Sequence, residues 1–184
     1  MPKVDLNKKV FIDFETTGFK PAWPVSLAMI AYEGKKRTCA KYMVFNPEAK
    51  IQAGAMKVHG ITQEEAESHS TFDRVWGDIS YYFSDALVCS HNIEFDVYKV
   101  LIPTLKRYDI PIPNFKTCCT VKNAQKFLPK PTVKNHKLDT LCEYFNIPLE
   151  HHHNAGDDTY SCMRIFNELV KISHGDLVIE DQIL

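Results

Sequence analysis

Two carboxylates, Asp13 and Glu15, stand two residues apart in Lys9–Glu15, a stretch with strand-like alternation. In a strand, residues i and i+2 point to the same side. Asp13 and Glu15 therefore project together beside Phe11, while Val10, Ile12 and Phe14 face the other way. Two ionised groups held this closely repel each other and lose solvation. A divalent cation relieves both effects, and an all-oxygen donor set suits Mg²⁺ or Mn²⁺. Taken alone, the pair also reads as the wet face of an edge strand.

A second group, His91-Asn92-Ile93-Glu94-Phe95-Asp96, follows the short apolar stretch Asp85–Ser90. The loops that leave strand ends and enter helices are where α/β proteins build their sites. Asn92 suits an N-cap, and Asp96 falls in the first helical turn, where the helix dipole favours an anion. A third group is His151-His152-His153-Asn154-Ala155-Gly156-Asp157-Asp158. Asn154 can cap the helix that follows, leaving His153 just before it and Asp158 in its first turns. Ala155 and Gly156 leave room for another group to approach. No cysteine stands at zinc-site spacing from these histidines.

The elements that must carry these residues follow from periodicity. Lys9–Glu15, Val25–Glu33 and Arg37–Asn46 read as three strands in an antiparallel meander. Thr62 and Glu65 have capping-box spacing. Thr71 opens a helix whose apolar stripe is Phe72, Val75, Trp76, Ile79, Tyr82 and Phe83. A strand follows over Asp85–Ser90, then a helix from Asn92 to about Tyr108, and a strand with a short helix over Phe115–Leu128. Helices over Leu138–Asn146 and Ala155–Ser173 complete the pattern. Strands first, then alternating strand and helix, predict an α/β domain with a mixed sheet flanked by helices.

Composition sets the outer limits. A chain of 184 residues, 45% hydrophobic and 24% charged, is one globular domain. The division expected is a domain over residues 1–175 and a tail over 176–184. No run is long and apolar enough to span a bilayer, and no export signal is recognisable. The six cysteines form no Cys-x-x-Cys pair and read as reduced thiols of a cytoplasmic protein. A net charge of −1 gives no support to a long nucleic-acid track. One segment is different. Between Ile110 and Leu138 there is no acidic residue but there are six lysines, at 116, 122, 126, 130, 134 and 137. They form a candidate phosphate-gripping strip.

Together the three groups resemble the motifs of the DEDD-type 3′→5′ exonucleases, in the branch with a catalytic histidine. That family includes the epsilon proofreading subunit of bacterial DNA polymerase III, oligoribonuclease and ribonuclease T. The first motif is Asp13-x-Glu15 before Thr16-Thr17-Gly18, the second His91-Asn92-x-x-Phe95-Asp96, and the third His153-x-Ala155-x-x-Asp158. Val58–Thr62 and Lys137–Leu141 also resemble family segments, so the likeness spans about residues 8–172. The epsilon-like subgroup fits best, although Lys116-Thr117 stands where many members carry Asp-Thr.

The resemblance implies a ribonuclease H-like fold: a mixed five-stranded sheet with helices on both faces. It implies two Mg²⁺ or Mn²⁺ ions, with Asp13 bridging, Glu15 and Asp158 on one ion and Asp96 mainly on the other. His153 would act as general base, and Thr16, His59, Asn92 and Phe95 would hold the terminal nucleotide. The expected reaction is release of 5′-mononucleotides from single-stranded or frayed DNA 3′ ends. The alternatives are an RNA exonuclease of oligoribonuclease or ribonuclease T type, or a non-catalytic nucleic-acid-binding subunit of a polymerase. Expected partners are a DNA or RNA 3′ end and a polymerase subunit or a second copy of the chain.

Overall fold

The computed structural model describes residues 7–149 and 155–182. Its spine is one mixed sheet of order β3-β2-β1-β4-β5-β6. The meander is as expected: β1 (Lys8–Thr16) pairs antiparallel with β2 (Pro24–Glu33), and β2 with β3 (Lys36–Val44). On its other side β1 runs parallel to β4 (Ala86–Ser90), which runs parallel to β5 (Phe115–Cys119).

The alternation in β1 becomes two cores. Val10, Ile12 and Phe14 pack with Phe72, Trp76 and Ile79 of α3 (Phe72–Ile79) and with Val97, Val100 and Leu101. Phe11 packs on the opposite face with Cys162, Met163 and Phe166 of α8 (Ala155–Ile172). Each fully buried side chain of this size contributes roughly 1.5–3 kcal/mol. Trp76 is therefore a core residue. Cys89 and Cys118 of the sheet cluster with Cys162 of α8 in a buried layer, and all six cysteines are free and buried.

Two short helices precede α3: α1 (Ala53–His59), which the apolar periodicity did not reveal, and α2 (Gln63–Glu67). The Thr62 hydroxyl accepts from Glu65 N–H at 3.1 Å, as the capping-box spacing predicts. Thr71 and Asn92 sit at N-cap positions without a side-chain capping bond, so those two expectations fail in detail. The helix predicted from Asn92 to about Tyr108 is interrupted. It comprises α4 (Ile93–Phe95), a π-helical stretch over Asp96–Leu101, and α5 (Ile102–Arg107). Ile102 N–H donates to the Val97 carbonyl, five residues back. In a regular α-helix the Pro103 ring would collide with the Lys99 carbonyl, and the wider turn removes that clash. After β5 come α6 (Thr120–Phe127) and α7 (Leu138–Tyr144).

The expectation of five strands needs correction. A sixth, β6 (Glu180–Asp181), pairs antiparallel with β5. It is held by the buried Asn123, whose Oδ1 accepts from Val178 N–H at 2.7 Å and whose Nδ2 donates to Val178 O at 3.0 Å. Leu177 and Ile179 pack onto the core face under α8. Such a short strand has almost no periodicity to betray it.

The same segment changes the reading of the lysine strip. Lys116 pairs with Asp181 (3.2 Å), Lys122 with Glu180 (2.8 Å) and Glu94 (3.6 Å), and Lys126 with Asp176 (3.2 Å). Lys134 pairs with Glu143 at 3.6 Å. Lys130 and Lys137 have no ion pair among the described residues. The strip was legible as a run of lysines, but the counter-charges of Lys116, Lys122 and Lys126 on the C-terminal segment lie fifty residues or more further along the chain.

Candidate active site

The three acidic groups meet at one end of the sheet. Asp13 and Glu15 project from the end of β1, where a bulge between Glu15 and Thr16 re-aims the chain. Asp96 arrives from the start of the π stretch, and Phe14 N–H donates to its Oδ1 at 3.2 Å. Asp158 is buried in the first turn of α8. The next residue ties that turn down: Thr159 Oγ1 donates to the Ala28 carbonyl at 3.3 Å, and Ala28 is the β2 partner of Asp13. The N-terminus of α8 is thereby set beside Asp13.

The electrostatics reflect this convergence. Burial pushes the Asp13 carboxyl well above its ordinary value, and Asp96, Glu15 and Asp158 push it further. Burial, then Asp158 and Asp96, raise Glu15 to about 7. Burial raises Asp96 to about 7 against the easing effect of Ser90 and the Phe14 amide. Asp13 and Glu15 keep an opening to solvent although both are densely surrounded. Four converging carboxylates, with Asp13, Glu15 and Asp96 all shifted toward the protonated form, fit a site for hard cations. Among the described residues, no three acidic, histidine or cysteine side chains already enclose a common metal position. His153 lies outside the described residues, as do His151, His152 and Asn154.

Beside the carboxylates lies a second constellation. Thr16 is buried, and its hydroxyl donates to Gly18 O at 3.0 Å. His59, at the end of α1, accepts from Ile61 N–H through Nδ1 at 3.1 Å. Its Nε2 is buried with no hydrogen-bond partner. Burial lowers its pKa, offset in part by the Thr16 backbone and Glu65, so the ring is neutral near pH 7. Asn92 is exposed and Phe95 half-buried. Phe95 meets a residue that sequence reasoning missed: Phe19, edge to face at a centroid distance of 6.1 Å. Phe19 is 80% exposed, the highest value among the large hydrophobic residues described. An aromatic directly behind a Thr-Thr-Gly turn was the available signal. Gly18 lets that turn form, with φ +147° and the Gln52 side chain packed where a Cβ would sit.

His91 was quoted in the motif but given no role. Its Nδ1 lies 2.8 Å from Thr120 Oγ1, and its Nε2 lies 3.1 Å from the His136 carbonyl. A carbonyl only accepts, so Nε2 carries the proton. The His136 ring in turn reaches the Leu128 carbonyl at 2.8 Å. The loop after β4 is thus tied to the segment between α6 and α7.

Comparisons with known proteins agree with this geometry. The family model RNase_T, described as "Exonuclease", matches residues 10–166. The DNA polymerase III PolC-type protein of Latilactobacillus sakei (strain 23K) is 27% identical over 164 residues, 88% of this chain and 11% of the relative. The corresponding Thermotoga maritima protein is 24% identical over 168 residues, 89% of this chain and 12% of the relative. The chain therefore spans about one-ninth of the length of these relatives. Among solved structures, the nuclease domain of 3′hExo, a DEDDh family member bound to rAMP, superposes with a TM-score of 0.77 at 18% identity. That match covers 97% of this chain and 98% of the other. Exonuclease X in complex with 5′ overhanging duplex DNA gives 0.69 at 20% identity, covering 90% and 93%. At these identities the likeness is one of fold, and it is the mixed sheet with helices on both faces that the motifs implied.

Proposed function

This chain belongs to the RNase_T exonuclease family, and from that premise we propose that it removes 5′-mononucleotides from single-stranded or frayed DNA 3′ ends. The observation that carries the reading is the convergence of Asp13, Glu15, Asp96 and Asp158 at one sheet end, close enough that Asp96, Glu15 and Asp158 raise Asp13 and that Asp158 and Asp96 raise Glu15. No purely structural role accounts for four acidic groups collected at one sheet end. Asp13, Glu15, Asp96 and Asp158 would hold two Mg²⁺ or Mn²⁺ ions. Such ions stabilise charge on both the attacking and the leaving oxygen of the phosphodiester. The side chains divide the remaining work. His153 takes the proton from the attacking water, because an imidazole titrates near working pH. The unpartnered His59 Nε2 and the Thr16 backbone face the terminal sugar, and Asn92 flanks it. Phe95 and Phe19 offer faces for the terminal base, which stacking holds without regard to sequence.

DNA is favoured over RNA by the PolC-type relatives. The same relatives make a polymerase subunit the natural partner, with self-association as the alternative. Six free cysteines suit a reducing cytoplasm, and among the described residues no helix is long and apolar enough to cross a membrane. The test uses 5′-labelled DNA and RNA oligomers with Mn²⁺. A ladder shortening from the 3′ end, faster on DNA and abolished by chelation, is expected. Full activity after thorough chelation, or immediate loss of the 5′ label, would refute the reading.

A further inference from the structure

A groove of about 1110 Å³ runs from the site loop, lined among others by His91, Asn92, Gln125, Lys130, His136 and Lys137. It starts at Asn92, beyond the end of β4, and extends beside α6 to the segment that leads into α7. Thr16 and His59 gather where α1 meets the end of β1, with Phe19 against Phe95, whereas the groove leads from Asn92 toward α6, which follows β5. A phosphodiester at a 3′ end has the terminal nucleoside on one side and the rest of the strand on the other. If the nucleoside sits against Thr16 and His59 and the phosphate meets the carboxylates, the strand leaves toward β5 and α6. The groove lies on that path.

Its charge is selective. The C-terminal segment and Glu143 engage Lys116, Lys122, Lys126 and Lys134, while the two lysines they leave, Lys130 and Lys137, both line the groove. Asp139 also lines it, but its Oδ1 accepts from Thr140 N–H at 2.6 Å and from Thr140 Oγ1 at 3.3 Å, on the start of its own helix. The wall is fixed rather than loose, because the His91 and His136 rings bind it to Thr120 and Leu128. Resting on the exonuclease reading, we propose that this groove binds the sugar–phosphate backbone of the single strand behind the 3′ terminus. Lys130 and Lys137 are its phosphate contacts. The C-terminal segment sets the limit of the groove by holding Lys116, Lys122 and Lys126 away from the substrate.

The experiment uses the full chain and two probes. Binding of a short labelled oligothymidylate is followed by anisotropy in Ca²⁺ over a salt series. Hydrolysis of the p-nitrophenyl ester of thymidine 5′-monophosphate, which has no upstream strand, is followed in Mn²⁺. Lys130→Gln with Lys137→Gln should lower the log–log salt slope by about 1.4, two contacts at about 0.7 each for single strands. The ratio of oligonucleotide to ester kcat/KM should fall with it. Lys122→Gln with Lys126→Gln should lower the slope by less than half as much. An unchanged slope in the first variant, or an equal loss in the second, would overturn the groove. Failure of the wild type to hydrolyse the ester would overturn the exonuclease reading instead. The binding slope still judges the groove in that event, so the two can fail separately.

Discussion

Replacing Glu15 by glutamine should stabilise the metal-free protein in mild alkali and do nothing in acid. The carboxyl titrates at about 7 in the folded chain against an ordinary value of 4.5. Below 4.5 it is protonated whether the chain is folded or not, and it contributes no pH dependence. Between 4.5 and about 7 the unfolded chain releases the proton while the folded chain keeps it. Stability therefore falls as pH rises through this window, by at most about 1.4 kcal/mol per unit. Above about 7 the loss is complete, roughly 3 kcal/mol at its upper bound. Part of that shift comes from Asp158 and Asp96, and the glutamine amide still suffers some burial, so about 1–3 kcal/mol should be recovered. For a chain of this size that corresponds to roughly 2–12 °C in Tm. The assay is a set of thermal melts in chelator at pH near 4.5 and near 8, for both proteins. Mn²⁺ should then raise the wild-type Tm more than that of the variant. If Glu15→Gln melts below wild type near pH 8, or if the difference persists in acid, Glu15 is satisfied by protein donors and the strained-site argument fails.

Three further outcomes are expected. His153→Ala should lower kcat by roughly 10²–10⁴-fold, with His151→Ala and His152→Ala costing far less; a larger loss at either neighbour would place the base one or two residues earlier. Phe19→Ala, at a side chain that is almost wholly exposed, should leave stability within about 0.5 kcal/mol. It should weaken single-strand binding by about 1–3 kcal/mol if the ring stacks on a base, and an unchanged KM would remove Phe19 from the site. Gly18→Ala places a Cβ against the Gln52 side chain at a φ that L-residues avoid. It should cost about 1–3 kcal/mol in denaturant unfolding, and wild-type stability would show that the turn is not constrained as described.

The sequence was most informative where one interaction dominates. In β1, alternation is driven by burial on both faces, and Asp13 and Glu15 stood out because that pattern has no place for them. The Thr62–Glu65 cap is a local bond and was readable for the same reason. Features that depend on distant partners were not. Asn123 and Val178 build β6 across 55 residues, and the acids that hold Lys122 and Lys126 arrive with it. Asn92 sits where a cap belongs, but its side chain makes no capping bond at the entry to the π-distorted helix. Phe19 was passed over because exposure is decided by the fold, not by the residue type. His153 lies outside the described residues, so its role rests on motif spacing.

The site is assembled from distant parts of the chain. The bond from Phe14 to Asp96 spans 82 residues, and the bond from Thr159 to Ala28 spans 131. Each such contact closes a long loop, and chain entropy opposes it until most of the core is in place. A nascent or half-folded molecule with the meander formed has Asp13 and Glu15 in position but neither Asp96 nor Asp158. It therefore lacks the means to cut. The topology couples cleavage to the last stages of folding, so that recovery of nuclease activity after dilution from denaturant should trail the recovery of sheet signal. On the proposed function, a hydrolase of 3′ ends that is silent until it is finished does no damage on the way.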